Sequence, residues 1–137
     1  MPASETKGNQ MVIEEDALAR HLGIEILDVG PGHATTSVKI TKQLLNGAGI
    51  THGGLVFSLA DVALAAACNS RGPLALALNV NISFLKATHE GSELTAFAQE
   101  ENLSRKTGLY RIEVKDAAGE CIAIAQGVVY RKTEKKG

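Results

Sequence analysis

The sequence predicts an α+β fold in which an antiparallel sheet wraps around one long central helix. Two segments carry that prediction. Leu55 to Ser70 (LVFSLADVALAAACNS) is long, rich in alanine, free of turn residues and apolar almost all round, so it reads as a helix buried on nearly every side. Leu74 to Leu85 (LALALNVNISFL) alternates as a strand, with Leu74, Leu76, Leu78, Val80, Ile82 and Phe84 on one face and Ala75, Ala77, Asn79, Asn81 and Ser83 on the other. With a single apolar helix available, the sheet has to curl around it. Ala63, Ala65, Ala66 and Ala67 would let strands approach closely.

The other elements follow in order. Residues 1–9 are polar, and residues from about 133 to 137 form a charged tail; both read as flexible ends of a single domain covering 1–137. Glu14 to Leu22 reads as a short helix with acids in its first turn, ended by Gly23. Ile24 to Val29 and Ala34 to Ile40 read as strands around a Gly30-Pro31-Gly32 turn. A glycine-rich loop, NGAGITHGG, precedes the long helix, and Asn69, Ser70 and Gly72-Pro73 stop it. Glu93 to Asn102, Leu109 to Asp116 and Glu120 to Arg131 complete a meander, with turns at His89 to Gly91, Ser104 to Gly108 and Ala117 to Gly119. A sheet of this kind has a second face and open edges, which favour dimerisation.

Composition excludes several functions. Hydrophobic residues make up 45% and charged residues 21%, enough for a packed core and against disorder. A net charge of -1 points to neither nucleic acid nor an anionic membrane as partner. Cys68 and Cys121 form no CxxC pair, which fits a reducing, cytoplasmic setting. His21, His33, His52 and His89 show no metal-ligand spacing with each other or with the cysteines, so no metal is expected. The first residues lack the apolar segment of a signal peptide, and Leu55 to Cys68 is too short to span a bilayer.

Two features in the central segment carry chemistry. Asp61 is the only charge between Leu55 and Ser70, and an ionised carboxylate in an apolar helix is costly unless paired or used. Burial would raise its pKa, which suits a general base or nucleophile; the plainer reading is an acid that caps backbone or pairs with an arginine. His52-Gly53-Gly54 opens the helix, where free N–H groups could polarise a carbonyl; the plainer reading is a turn with a glycine cap. Gly53 and Asp61 lie about 12 Å apart along one helix at ~1.5 Å per residue. If both act on one substrate, the acid must come from a second copy of the chain, which predicts a two-fold dimer with interfacial sites. Asn46 and His52 flank the loop and either contact substrate or satisfy loop backbone. Arg105 and Lys106, in LSRKTGLY, form a basic hairpin tip able to hold phosphates, or carry ordinary turn charge.

The run NGAGITHGGLVFSLADVALAAACNSRG resembles the central motif of hotdog-fold thioesterases of the phenylacetate-degradation (PaaI) type: Asn, a short loop, His-Gly-Gly, an apolar stretch, Leu-Ala-Asp, and a helix ending in Asn-Ser. The resemblance continues through ISFLKATHEGSELTAFAQE and LSRKTGLYRIEV. It implies a hotdog fold and hydrolysis of an acyl-CoA thioester without metal or organic cofactor. By the same resemblance Asp61 is the catalytic carboxylate, as base or nucleophile. The Gly53 amide, with Gly54, polarises the carbonyl, and Asn46 and His52 lie beside the thioester. The segment Arg105, Lys106, Thr107 and Gly108 is the loop near CoA. It further implies homotetramers built from hotdog dimers. Two positions depart from the pattern: Ala77 stands where some relatives carry a hydroxyl residue, and Ala87 replaces a common proline. Aromatic acyl-CoA such as (hydroxy)phenylacetyl-CoA is the expected substrate, with medium-chain fatty acyl-CoA next. A hotdog dehydratase is disfavoured because Gly53-Gly54 follows His52 directly, where such enzymes carry a proline-rich loop. A non-catalytic acyl-CoA sensor is disfavoured by the retained Asp61.

Overall fold

A computed structural model describes residues 13–133. The expectations for residues 1–9 and for the tail, Thr133 apart, lie outside the described residues. The elements are α1 (Ala17–Leu22), β1 (Glu25–Gly30), β2 (His33–Lys39), a 3-10 turn (Lys42–Leu44), α2 (Gly53–Cys68), β3 (Leu74–Phe84), β4 (Glu93–Leu103), β5 (Thr107–Lys115) and β6 (Cys121–Lys132). All strand pairs are antiparallel, in the order β1-β2-β4-β5-β6-β3, and α2 touches every strand. The expected wrap of sheet around helix is therefore present. The meander is β4-β5-β6, and its last strand pairs on the far side with the earlier β3, which forms one edge of the sheet.

α1 is shorter than the pattern implied. Asp16 acts as its cap rather than as a first-turn acid, its Oδ1 accepting from the Ala19 N–H at 3.0 Å, so the preceding residues fall outside the continuous helix. Gly23 ends α1 at φ 82°, a conformation that favours glycine.

The helix lies close to the sheet because both surfaces are small. Ala60, Ala63, Ala66 and Ala67 are buried in α2, facing a sheet lined by Ala96, Ala98, Ala123 and Ala125. At Gly127 a Cβ would come within 2.7 Å of the Leu64 side chain, so that strand position takes no larger residue without displacing the core. Ala65 is not among the buried alanines; it lies on an open stripe of α2, and Ala60 takes the packing place expected for it. The stripe is Gly54, Phe57, Ser58, Asp61 and Ala65, spaced by three and four residues on one face. The expectation of burial on nearly every side therefore fails along that face.

β3 departs from uniform alternation as well. Its pairing with β6 slips between Ala77 and Asn79, a bulge centred on Leu78. Before the bulge Ala75 and Ala77 oppose Arg131 and Val129; after it Val80, Ile82 and Phe84 oppose Gly127, Ala125 and Ala123. Since Val129, Ala125 and Ala123 are buried beneath α2, the helix-facing set switches from alanines to Val80, Ile82 and Phe84. Leu74, Leu76 and Leu78 do not share a face with them. Leu76 and Leu78 are instead 58% and 65% exposed on an edge with no neighbouring strand.

Asn69 clamps the end of α2. Its Nδ2 donates to the carbonyls of Ala65 and Ala75 at 2.9 and 3.0 Å, and its Oδ1 accepts from the Ala75 N–H at 2.9 Å. Beyond it, Arg71 pairs with Glu100 at 2.8 Å, and the Tyr110 hydroxyl donates to the same carboxylate at 3.2 Å. Asn69→Ala removes the side-chain acceptor of the buried Ala75 N–H and one donor to the Ala75 carbonyl. It is expected to lower unfolding free energy by about 1–3 kcal/mol, measured by urea denaturation.

Candidate active site

The loop before α2 is held by its own residues. The Asn46 Oδ1 accepts from the N–H groups of Ala48 and Ile50 at 2.8 and 3.2 Å, while the Asn46 N–H donates to the Ile50 carbonyl. Thr51 is anchored from outside the loop: its N–H donates to the Thr88 carbonyl, and the Thr88 hydroxyl donates to Thr51 Oγ1 at 2.7 Å. The His52 N–H donates to the Leu44 carbonyl. The start of α2 is thus fixed before any ligand arrives. Asn46 serves the loop through its oxygen, and its side-chain NH2 makes no bond among the described residues.

His52 caps the helix. Its Nδ1 accepts from the Gly54 N–H at 2.8 Å, so the neutral ring carries its proton on the exposed Nε2. This corrects the idea that both glycine amides point outward. The Gly54 amide is occupied, and the Leu55 and Val56 amides donate to the His52 carbonyl. The Gly53 N–H alone in this first turn has no partner among the described residues. The Phe84 ring covers one side of it, 3.4 Å from where a Cβ on Gly53 would stand. Phe84 was not singled out in the sequence; only its place at the end of an alternating strand could have hinted at it.

Asp61 lies two turns along α2 on the open stripe. No hydrogen bond or ion pair reaches its carboxylate among the described residues. Partial burial, and then the negative charge of Asp16, raise its pKa above 3.8. The arginine-paired or capping alternative for Asp61 is therefore absent. Phe57 and Ser58 flank it on the same face, and Ser58 Oγ donates to the Gly54 carbonyl at 2.8 Å. Counting back three and four residues from Asp61 would have found both. Cys68, two further turns along, is buried with its thiol pushed up to about 12, which leaves it protonated and inert.

The basic tip is far from this start. Thr107 pairs with Tyr130, which pairs with Leu76, whereas Phe84 marks the Gly53 end; Leu76 to Phe84 spans about 26 Å of strand at ~3.3 Å per residue. Arg105, Lys106 and Thr107 are exposed there. The Lys106 carbonyl accepts from the Arg131 N–H, and the Ser104 carbonyl from Arg131 Nη1 at 2.8 Å. Gly108 is buried, and a Cβ there would lie 2.9 Å from the Tyr110 ring, so packing alone demands a glycine. Within one chain, then, Gly53, Asp61 and the Arg105–Gly108 tip are not brought together.

The raised Asp61 pKa has a stability consequence. The stabilising contribution of the protonated carboxyl is complete below 3.8 and is lost as pH rises through the raised folded-state value. Asp61→Asn escapes that loss. Its Tm is expected to exceed that of wild type at pH 7, with the gap narrowing toward pH 4, as followed by circular dichroism.

The fold and site have known counterparts. The thioesterase superfamily profile matches residues 48–123. The acyl-coenzyme A thioesterase PaaI of Escherichia coli is 42% identical over 86% of this chain and 84% of that protein. The solved structure of the E. coli PaaI protein superposes with a TM-score of 0.86 at 38% identity, covering 94% of this chain and 99% of that one. A mutant structure of the phenylacetic acid degradation protein PaaI from Thermus thermophilus gives 0.82 at 37% identity, covering 85% and 99%. No helix among the described residues is long and apolar enough to cross a membrane. This chain belongs to the thioesterase superfamily, among its hotdog-fold members of the PaaI type.

Proposed function

We propose that the protein cleaves aromatic acyl-CoA thioesters of the phenylacetyl or hydroxyphenylacetyl type to the free acid and CoA, in the cytoplasm, as a dimer with shared active sites that pairs into a tetramer. As a PaaI-type protein it is an acyl-CoA thioesterase. One observation carries the mechanism: the open Gly53 amide and an Asp61 carboxylate without a partner among the described residues stand on one helix, about 12 Å apart at ~1.5 Å per residue. That is too far for one thioester to meet both in one chain, so the two groups act from different copies.

The exposed edge of β3 supports this arrangement. Leu76 and Leu78 lie on β3, an edge of the sheet among the described residues, a surface that a second β3 would cover. Two-fold pairing of antiparallel strands brings the Leu76 end of one copy to the Phe84 end of the other. It would carry the partner's Asp61 and its Arg105–Gly108 tip toward Gly53. The Gly53 N–H then donates to the thioester carbonyl, with the Phe84 ring excluding water on one side. Asp61 of the second copy takes a proton from water as the water oxygen bonds to the carbonyl carbon. Collapse of the tetrahedral intermediate breaks the C–S bond, and the proton passes to the departing CoA sulfur. The Asn46 NH2 and His52 Nε2–H are donors beside the thioester, and Arg105 and Lys106 with the Thr107 hydroxyl and the Gly108 backbone flank the CoA phosphates.

Release of free thiol from phenylacetyl-CoA tests this reading. Asp61→Asn and Asp61→Ala are expected to lower kcat by about 10²–10⁴ with binding retained; turnover near wild type would refute it. Leu78→Lys places charge on the proposed seam. It is expected to shift the protein toward monomer in light scattering and to lose turnover in parallel. A fully active monomer would remove the shared site.

A further inference from the structure

Thr36, Thr51, Asn69 and Thr88 are buried polar side chains, and all four serve α2 or the residues that lead into it. Thr36 Oγ1 donates to the Leu59 carbonyl at 3.1 Å, and Asn69 holds the end of the helix. Thr51 and Thr88 bind each other: the Thr88 hydroxyl donates to Thr51 Oγ1 at 2.7 Å. The two residues are 7% and 6% exposed, so bulk water cannot stand in for that bond. Two buried hydroxyls are a costly way to fill space that apolar side chains would fill without losing hydration. The pair therefore calls for a role beyond packing.

Its place supplies one. Thr51 stands two residues before Gly53, whose N–H is the open donor at the start of α2. Thr88 stands four residues after Phe84, whose ring lies 3.4 Å from where a Cβ on Gly53 would stand. Residues 84–88 thus reach the same glycine twice, once through the ring and once through the threonine pair. That segment is itself tied down: the Leu85 and Lys86 N–H groups donate to the carbonyl of buried Ile122 at 2.8 and 3.2 Å. The Thr51 N–H donates to the Thr88 carbonyl at 2.9 Å, and one such bond leaves the two segments free to pivot. The hydroxyl bond beside it removes the pivot. The remaining brace, from the His52 N–H to the Leu44 carbonyl, comes from residues just before the loop rather than from the side that carries Phe84.

We infer that Thr88 is a positioning residue for the carbonyl-polarising amide: its hydroxyl, acting through Thr51, sets where the Gly53 N–H stands against the Phe84 ring. The inference rests on the proposed hydrolase reading. It adds a residue of the β3–β4 connection to the machinery at the start of α2. Stabilisation of a developing oxyanion depends steeply on donor position, and a displacement of about 1 Å costs up to about a hundredfold in rate. A valine methyl in place of the Thr88 hydroxyl keeps about 3.5 Å or more from its neighbours, against 2.7 Å for the present bond, and displaces Thr51 by a comparable amount.

Thr88→Val is expected to lower kcat for phenylacetyl-CoA about tenfold in a thiol-release assay, with KM within about twofold of wild type. Thr88→Ala, which removes the hydroxyl without adding bulk, is expected to lose kcat in the same way. Thr88→Ser keeps the hydroxyl and is expected to keep kcat near wild type. Thr36→Val removes an equally buried hydroxyl from beside the middle of α2, and it too is expected to leave kcat near wild type. Wild-type kcat in folded Thr88→Val or Thr88→Ala would overturn the positioning role and leave the hydrolase reading standing. So would a loss that Thr88→Ser or Thr36→Val shares in full, or one that lies in KM alone. Wild-type protein that frees no thiol from any acyl-CoA would overturn both.

Discussion

The structure depends on how closely α2 lies against the sheet. Ala60, Ala63, Ala66 and Ala67 meet strands lined with alanine, and at Gly127 even a methyl group would strike Leu64. Such packing fixes the rotation of the helix about its own axis. Turned by a third of a revolution, α2 would put Asp61 into the alanine interface and push leucines outward. Small residues in the core therefore decide which stripe of the helix stays open, and that stripe carries the candidate chemistry.

The ends of α2 are fixed as firmly as its face. At the start, His52 takes the Gly54 amide and leaves that of Gly53 without a partner among the described residues; at the finish, Asn69 binds Ala65 and Ala75. A helix start with one open donor is a selective device, since a carbonyl can dock there in one orientation only. The carboxylate two turns later is held half-buried with no partner among the described residues, at some expense of stability. That pattern is common where function, rather than folding, retains a residue.

One chain holds these parts without assembling them. The hairpin tip lies at the far end of the sheet from Gly53, and Asp61 lies midway along the helix. The edge strand β3 exposes Leu76 and Leu78 where no strand follows. Symmetry would solve the separation, because an antiparallel two-fold axis reverses the order of these groups on the second copy.

Much of this was legible in the amino-acid sequence because it is local. The length, alanine content and unbroken apolar character of 55–70 announced a buried helix, the solitary Asp61 stood out within it, and His-Gly-Gly marked where it begins. The strands after the helix followed from alternation and glycine turns. What the tertiary structure decided depends on residues distant in the chain. The Leu78 bulge, which turns Leu76 outward and Val80 inward, is a misfit between β3 and β6 that no alternation within β3 reveals. The occupied Gly54 amide and the Phe84 ring beside Gly53 likewise arise from packing between segments. Periodicity reports which residues share a face, whereas only the folded chain determines what that face meets.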